Sequence, residues 1–209
     1  MDMNEYLSQN EIRRDSYKQL SECYYLPDEA LLKHLKNPDT SIGPIFTHIM
    51  TNVPDIGELD QLKLEYTKLF IGPFESIAPP YESVYFEKRR IVMADSTMEV
   101  QSLYRENGLN VDIKEAPDHI AIELEFMYYL IFKQIEAMTA SDTETADAYL
   151  ATQHDFLRNH LGRWITEFTG IIAQNAQTYF YKDLANVTGS FVGKDMEYLR
   201  SRAIQSPSV

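Results

Sequence analysis

The sequence has a single cysteine, Cys23, among 209 residues. One thiol excludes an intrachain disulfide and any metal site built from several thiolates. No stretch approaches the roughly 18 consecutive apolar residues that a membrane-spanning helix requires. The first ten residues also lack the basic start and apolar run of a signal peptide. These absences fit the reducing cytoplasm, where we expect the protein to reside.

Basic residues are scarce too, with 19 lysines and arginines against 32 aspartates and glutamates, for a formal charge of −13. Such a field repels nucleic acid phosphates and anionic lipid headgroups, and it favours basic partners. We therefore expect neither nucleic acid binding nor stable insertion into a membrane. A solvated acidic surface that aids solubility is the simplest explanation of the charge taken alone.

Strand-like alternation, hairpin turns and internal repeats are absent, whereas apolar residues recur at helical spacing. The clearest case is residues 117–138, where Ile120, Leu124, Met127 and Ile131 are three or four residues apart. The sequence predicts one all-α domain over residues 1–209, a helical bundle of about ten helices with a disordered tail from 204 to 209. The other predicted helices cover residues 5–25, 30–36, 42–50, 59–70, 81–87, 96–107, 141–161, 164–173 and 179–202, the last interrupted at 189–193.

The chain is organised around residues 65–86, where a helix end runs into a loop that closes on Pro79 and Pro80. Proline lacks an amide hydrogen and disfavours the helical conformation of its predecessor, so the backbone at Ala78 must be extended. The loop carries more aromatic residues than a connection needs, namely Phe70, Phe74, Tyr81, Tyr85 and Phe86. It therefore either packs into the body of the protein or lines a site.

A second notable stretch is residues 115–127, where Pro117 is predicted to occupy the first helical position and Asp118 to meet the free amides there. His119 and Glu123 are four residues apart and share a helix face. Three interpretations stay open for this pair. The two side chains are metal ligands, or they form an acid–base pair, or they are a polar anchor that holds an extended segment beside the helix start.

The remaining patterns give weaker evidence of function. The glycines of Gly189-Ser190-Phe191-Val192-Gly193-Lys194-Asp195 do not have the spacing of a phosphate-binding loop, and aspartate stands where that loop needs a hydroxyl. His154 and His160 are six residues apart and so lie on different helix faces, which favours surface or core roles. Trp164 is predicted to be a core residue that packs against Phe168 and its neighbours.

Three motifs together resemble the TorD/DmsD family of redox-enzyme maturation chaperones, which includes nitrate reductase assembly proteins. The first is YTKLFIGP at 66–73 with PPYESVY at 79–85, and the second is PDH at 117–119 with ELEFM at 123–127. The third places Phe156-Leu157 and His160-Leu161 before Trp164 and Phe168. Some family members have tryptophan where Tyr66 and Tyr81 stand here.

The resemblance implies a cytoplasmic, TorD-like helical chaperone that is not an enzyme and needs no cofactor. Such chaperones bind the twin-arginine leader of a molybdopterin oxidoreductase catalytic subunit, assist cofactor insertion and prevent premature export. Some members exchange helices between protomers, which implies a monomer or a helix-swapped homodimer. By motif match, the leader would bind at Tyr66, Leu69, Phe70, Pro80, Tyr81, Ser83, Tyr85, Asp118, His119 and Glu123.

Physical chemistry predicts how affinity divides within such a site. Each buried Leu or Phe of a leader gains about 1.5–3 kcal/mol before ordering costs, whereas an exposed arginine–carboxylate pair gains about 0–1 kcal/mol. Aromatic residues should therefore supply the affinity, and acidic residues the orientation and association rate. The acidic candidates are Glu75, Glu82, Asp118 and Glu123. On this interpretation Tyr81→Ala weakens binding more than Glu82→Gln.

Two alternatives from other classes remain. One is a helical metal-dependent enzyme that uses His119, Glu123 and Asp118. The other is a structural subunit of a larger complex, which would co-purify with a fixed partner. Guanine nucleotide binding has been attached to some family members, but the failed phosphate-binding pattern gives it no support here.

Overall fold

The computed structural model describes residues 3–36, 52–72, 75–86, 95–109 and 115–205. These residues form α-helices joined by short turns, with a 3₁₀ turn at Ile56–Glu58 and a π turn at Thr67–Ile71. The α-helices are α1 Met3–Cys23, α2 Glu29–Lys36, α3 Leu59–Tyr66, α4 Glu82–Phe86, α5 Asp95–Glu106, α6 Ile120–Thr139, α7 Thr143–Asn159, α8 Leu161–Asn175 and α9 Tyr179–Gln205. Within the described ranges no β-strand occurs, and the only β-type pairing is an isolated antiparallel bridge between Tyr81 and His119.

Helix α6 is the centre of the bundle because it is buried on nearly every side. The predicted stripe of Ile120, Leu124, Met127 and Ile131 is fully buried, and Leu130 on another face is buried as well. A helix that is apolar all round must be covered by neighbours. Helix α1 packs along one side of α6 and α7 along another, while α9 packs against α8 and α7.

Most of the predicted helices occur within two or three residues of their expected bounds. The predicted helix over 42–50 lies outside the described residues, as do Pro73, Phe74 and the tail beyond Gln205. The predicted stop at Gly108 is confirmed, because Gly108 follows α5 with a φ of 80°. Helix α9 continues to Gln205, and the disordered tail from 204 to 209 stays a prediction.

The predicted interruption at Gly189–Gly193 was also wrong, because α9 runs unbroken through it. Phe191 and Val192 are buried there and hold the segment against the core. A Cβ atom on Gly189 would lie 2.9 Å from the Thr169 hydroxyl oxygen of α8. Glycine at this position therefore serves close helix packing rather than a break. In the part of the chain that the structure describes, no helix is long and apolar enough to cross a membrane.

Candidate functional site

The central loop is fixed at its start by Gly72, whose φ is 68°. A Cβ atom at this position would come within 2.2 Å of the Glu75 carbonyl oxygen, so only glycine fits. The Gly72 amide donates to the Thr67 carbonyl at 2.6 Å, which closes the π turn. The Ala78 amide donates to the Leu69 carbonyl at 2.8 Å and brings the far side of the loop back onto the helix end.

The loop then meets the start of α6 in a junction, by which we mean residues 80–83 and 118–123. The Ile120 amide donates to the Pro80 carbonyl at 2.9 Å, and the Glu82 amide donates to the Asp118 carbonyl at 3.0 Å. Between these two bonds Tyr81 and His119 face each other as the isolated bridge. Segments that are 35 or more residues apart are thus paired through their backbones.

His119 is the N-cap of α6 and is 97% buried. Its Nδ1 accepts a hydrogen bond from the Ala121 amide at 3.2 Å. Burial lowers the pKa of His119 from its ordinary value of 6.5 to about 4. The ring is therefore neutral near pH 7, which is the state that an accepting Nδ1 requires.

Asp118 caps a different helix from the one predicted. The expected helix start at Pro117 was wrong, because a turn from Ala116 to His119 delays α6 until Ile120. Asp118 is instead fully buried, and its Oδ2 accepts from the Ser83 amide in the first turn of α4 at 2.9 Å. Asp118 and His119 therefore hold the starts of two helices.

Three buried carboxylates lie around this junction, and we call Glu82, Asp118 and Glu123 with His160 the carboxylate cluster. His160 Nδ1 lies 3.2 Å from Glu82 Oε1, and both side chains are buried. Trp164 donates its Nε1 hydrogen to Glu123 Oε2 at 3.1 Å. Burial raises the pKa of Glu82 and raises the pKa of Glu123, and the neighbouring charge of Glu82 adds to the effect on Glu123.

The cluster is also incompletely satisfied. Among the described residues, Asp118 Oδ1 and Glu123 Oε1 of the cluster have no hydrogen-bond partner although both are buried, and the adjacent Ser83 hydroxyl has none either. An unsatisfied buried polar group costs about 1–3 kcal/mol, so this arrangement is costly for the fold. Buried carboxyl groups with raised pKa values, such as Glu82 and Glu123, concentrate at functional sites.

Aromatic rings form the accessible edge of the junction. The half-buried Tyr25 ring stacks on His119 with centroids 6.1 Å apart, and the Tyr81 ring meets His119 edge-on at 5.3 Å. The Tyr81 hydroxyl donates to the exposed Glu115 carboxylate at 3.1 Å. We call Tyr25, Tyr81 and Glu115 the aromatic rim. Tyr85 stacks on Trp164 at 5.2 Å, with its hydroxyl donating to the Pro79 carbonyl.

The structure places all ten predicted peptide-binding residues on neighbouring segments, but most of them are inside the protein. Only Tyr81 and Tyr85 are half-buried, and the others are buried: Tyr66, Leu69, Phe70, Pro80, Ser83, Asp118, His119 and Glu123. Phe70, for example, packs against Tyr24, Tyr66, Phe168 and Tyr181.

The expectation of exposed carboxylates at the site was wrong for three of its four candidates. Glu82, Asp118 and Glu123 have no exposed surface, and only Glu75 is exposed. Glu82→Gln would therefore test the scaffold rather than binding.

Neither Tyr25 nor Glu115 was singled out from the sequence as a candidate for the rim. Tyr25 follows α1 by two residues and is about 90 residues from His119 in the chain. Sequence reasoning also left His160 without a role. The exposed acidic group at the rim is Glu115, which was named from the sequence only as the first residue of the second stretch.

The geometry gives no support to a metal centre built on His119, Glu123 and Asp118. Within the described residues, no three histidine, cysteine, aspartate or glutamate side chains are placed to hold a metal ion. One atom of each of the three side chains already has a protein partner, namely the Ala121 amide, Trp164 and the Ser83 amide.

Comparison with known proteins decides the family. A family model described as the nitrate reductase delta subunit matches residues 49–170, more than half of the chain. The chain belongs to this family. The identification with the TorD/DmsD group made from the motifs is thereby confirmed.

Curated relatives agree with this family. The chaperone protein TorD of Vibrio parahaemolyticus is 28% identical over 141 residues, which cover 66% of this chain and 64% of that protein. A perchlorate reductase assembly chaperone protein of Dechloromonas aromatica is 28% identical over 138 residues, covering 64% and 61%. The match therefore spans less than two thirds of the length of these relatives.

Among solved structures, a protein from Archaeoglobus fulgidus described as a redox enzyme maturation protein has a TM-score of 0.56. The alignment covers 90% of this chain and 93% of that one, at 24% sequence identity. This likeness concerns the fold, and it confirms the predicted all-α class of this TorD/DmsD family member.

Proposed function

We propose that the protein is a non-enzymatic, cytoplasmic maturation chaperone that acts as one helical domain on a molybdopterin oxidoreductase. It binds the twin-arginine leader of the catalytic subunit, assists cofactor insertion and prevents premature export. The relatives that are named as chaperones, one of them for perchlorate reductase assembly, support the general role. The observation that carries the leader-binding part is the aromatic rim on a costly buried junction.

The rim has the chemistry that an arginine-containing peptide needs. A guanidinium group stacks favourably on tyrosine rings and pairs with a carboxylate, and Tyr25, Tyr81 and Glu115 offer both together. Ile71 and Ile77 flank the same loop and are 59% and 42% exposed. They provide the apolar surface for the hydrophobic stretch that follows the arginines.

The buried residues of the predicted site act indirectly in this proposal. Asp118 and His119 fix the positions of Ser83 and Ala121, and the His119 ring also contacts the two rim tyrosines, Tyr25 and Tyr81. The leader contacts the rim above these residues. As predicted from the sequence, aromatic rings supply the affinity for the leader in this proposal, and an acidic group sets its orientation. The acidic group is now Glu115.

The test is calorimetric titration of the full chain with twin-arginine leader peptides from the organism's molybdoenzymes. We expect saturable 1:1 binding that Tyr81→Ala weakens by about 10- to 100-fold, since a rim ring is a central contact. Glu115→Gln should weaken it by less than about 5-fold, as for an exposed pair. The matched control is Tyr179→Ala, which removes a tyrosine that is 72% exposed and outside the rim.

Three results would count against the proposal. Equal losses for Tyr81→Ala and Tyr179→Ala would remove the rim from the binding site. Unchanged binding when both arginines of the leader are replaced by lysine would remove the specific recognition of guanidinium. Absence of binding to every leader would leave a family fold with another ligand. Sedimentation on the same samples distinguishes a monomer from a helix-swapped homodimer.

A further inference from the structure

A groove lies between α7 and α9 and shares no residue with the junction or the rim. Its larger part is a cavity of about 530 Å³ with a largely apolar floor that includes Leu157, Met196 and Leu199. A second cavity of about 270 Å³ continues it and shares His154 and Leu199 with the first. Along α7 the groove extends from Arg158 to Asp147, which is about 16 Å at 1.5 Å per residue. This length suits a helix of two to three turns.

Gly193 keeps the larger cavity of the groove open. It lies in the interior of α9, where glycine is less favourable than alanine. A Cβ atom there would meet no described residue within 4 Å, in contrast with Gly189, where a Cβ atom would lie 2.9 Å from the Thr169 hydroxyl oxygen. The packing of the fold therefore does not require glycine at 193, but any larger side chain would project into the cavity that Gly193 lines.

The groove also has a polarity that differs from the acidic character of the whole chain. Arg158 and Arg200 line the larger cavity, and both are exposed. Within the described ranges, neither of them makes an ion pair or a hydrogen bond. Of the described residues that line the same cavity, Glu197 is the one acidic residue. At the other end lie two acidic residues, Asp147 and Asp155, and one arginine, Arg202, with Asp155 next to His154.

We propose that this groove docks an amphipathic helix of a partner protein. Apolar side chains of that helix lie on Leu157, Met196 and Leu199, and its C-terminal turn carries carboxylates that pair with Arg158 and Arg200. The negative end of the helix dipole then lies at the basic end of the groove, and its positive end lies near Asp147 and Asp155. A single helix in a groove between two helices is a known mode of protein recognition.

The probe is a phage-displayed library of 14-residue helical peptides, with leucine fixed on one face and all other positions randomised, selected on the full chain. We expect enriched peptides to carry Asp or Glu in the last turn and to bind 1:1 in fluorescence anisotropy. Gly193→Trp should weaken their binding at least tenfold, because the indole occupies the cavity. The double variant Arg158→Glu with Arg200→Glu should do the same through charge. The matched control is Gly170→Trp, at another helical glycine with open space around it that lines neither cavity.

Several results would overturn the proposal. No enriched peptide, enriched peptides with basic last turns, or equal affinity for wild type and both groove variants would each do so. If wild type sediments as a dimer and Gly193→Trp as a monomer, the occupant is a second copy rather than a partner helix. If Gly193→Trp fails to fold, as judged by circular dichroism, the proposal is tested by the double variant Arg158→Glu with Arg200→Glu, and unchanged peptide binding in that variant would overturn it. Leader binding at the rim is a separate property, so its loss in Tyr81→Ala would leave this result unaffected.

Discussion

Two buried polar regions of the same bundle are built in opposite ways. The first, which we call the arginine network, consists of Asn10, Arg13, Tyr17, Gln153 and Asp195. Arg13 binds Asp195 through two hydrogen bonds of 2.6 and 2.9 Å, and its remaining donors reach Gln153 and Asn10. The Tyr17 hydroxyl donates to the same Asp195 carboxylate at 2.8 Å. The second region is the carboxylate cluster, which has three acids, a single histidine and unpartnered atoms.

The difference indicates what each region is for. The arginine network joins α1, α7 and α9 with its charges paired, as a structural element should. The carboxylate cluster leaves desolvation costs uncompensated, and it lies directly under the aromatic rim. Natural proteins depart from the rules of good packing mainly where function requires it. The comparison therefore favours the junction, rather than the arginine network, as the functional region.

The largest expected effect on folding stability tests the arginine network. Asp195→Ala leaves the buried Arg13 guanidinium without its carboxylate, and we expect a loss of about 3–5 kcal/mol in the free energy of unfolding, measured with urea. The matched control is Asp15→Ala, which removes the partly exposed pair with Arg14 and should cost less than about 1 kcal/mol. Similar losses in the two variants would mean that the arginine network does not support the fold.

A somewhat smaller effect tests the histidine cap. The pKa of His119 is about 4 in the folded protein against 6.5 in its ordinary range, so below pH 6.5 the unfolded chain binds the proton more tightly. Folding stability should therefore fall as the pH drops from 6.5 to 4, by about 3 kcal/mol in total.

The measurement compares wild type with His119→Asn, which keeps an N-cap acceptor but does not titrate. The stability difference between the two proteins cancels the titration of the neighbouring carboxylates. It should favour wild type by about 3 kcal/mol more at pH 6.5 than at pH 4. A difference that is constant with pH would show that His119 is not desolvated.

The smallest expected effect is a gain in folding stability rather than a loss, and it tests the carboxylate cluster. The pKa of Glu123 is raised by burial, so its charged form destabilises the fold as the pH rises above the ordinary value of 4.5. Glu123→Gln keeps an oxygen for Trp164 and removes the charge. We expect the variant to be more stable than wild type by about 1 kcal/mol or more at pH 8, with the gain vanishing near pH 4.

For this last prediction the control is Glu167→Gln, since Glu167 is exposed on α8 and should give no pH-dependent gain. A destabilised Glu123→Gln at pH 8 would show that the carboxylate contributes to the fold, as Asp195 does. The contrast between the two regions would then fail. Leader titration on the same variant would show whether the cluster also affects the rim.

Particular residues show how much of the structure could be predicted from the sequence. The apolar stripe of α6 identified a central helix, and it needed no tertiary information because helical periodicity is local. The motifs around Pro80 and His119 pointed to the two segments that the structure pairs in the junction. Helix ends were less predictable, since α6 starts at Ile120 after a turn from Ala116 to His119, and its first amide donates to the Pro80 carbonyl of a distant segment. Gly189 looked like a break because the closeness of Thr169 leaves no trace in the local sequence.

The sequence by itself determined the all-α class, the family and the two stretches that form the junction, because each depends on patterns within a few residues or on linear motifs. Only the tertiary structure decided which side chains are accessible. It buried Asp118, Glu123 and Glu82, brought Tyr25 and Glu115 to the rim, and opened a groove over Gly193. Burial and pairing depend on residues that are distant in the chain, and no local pattern specifies them.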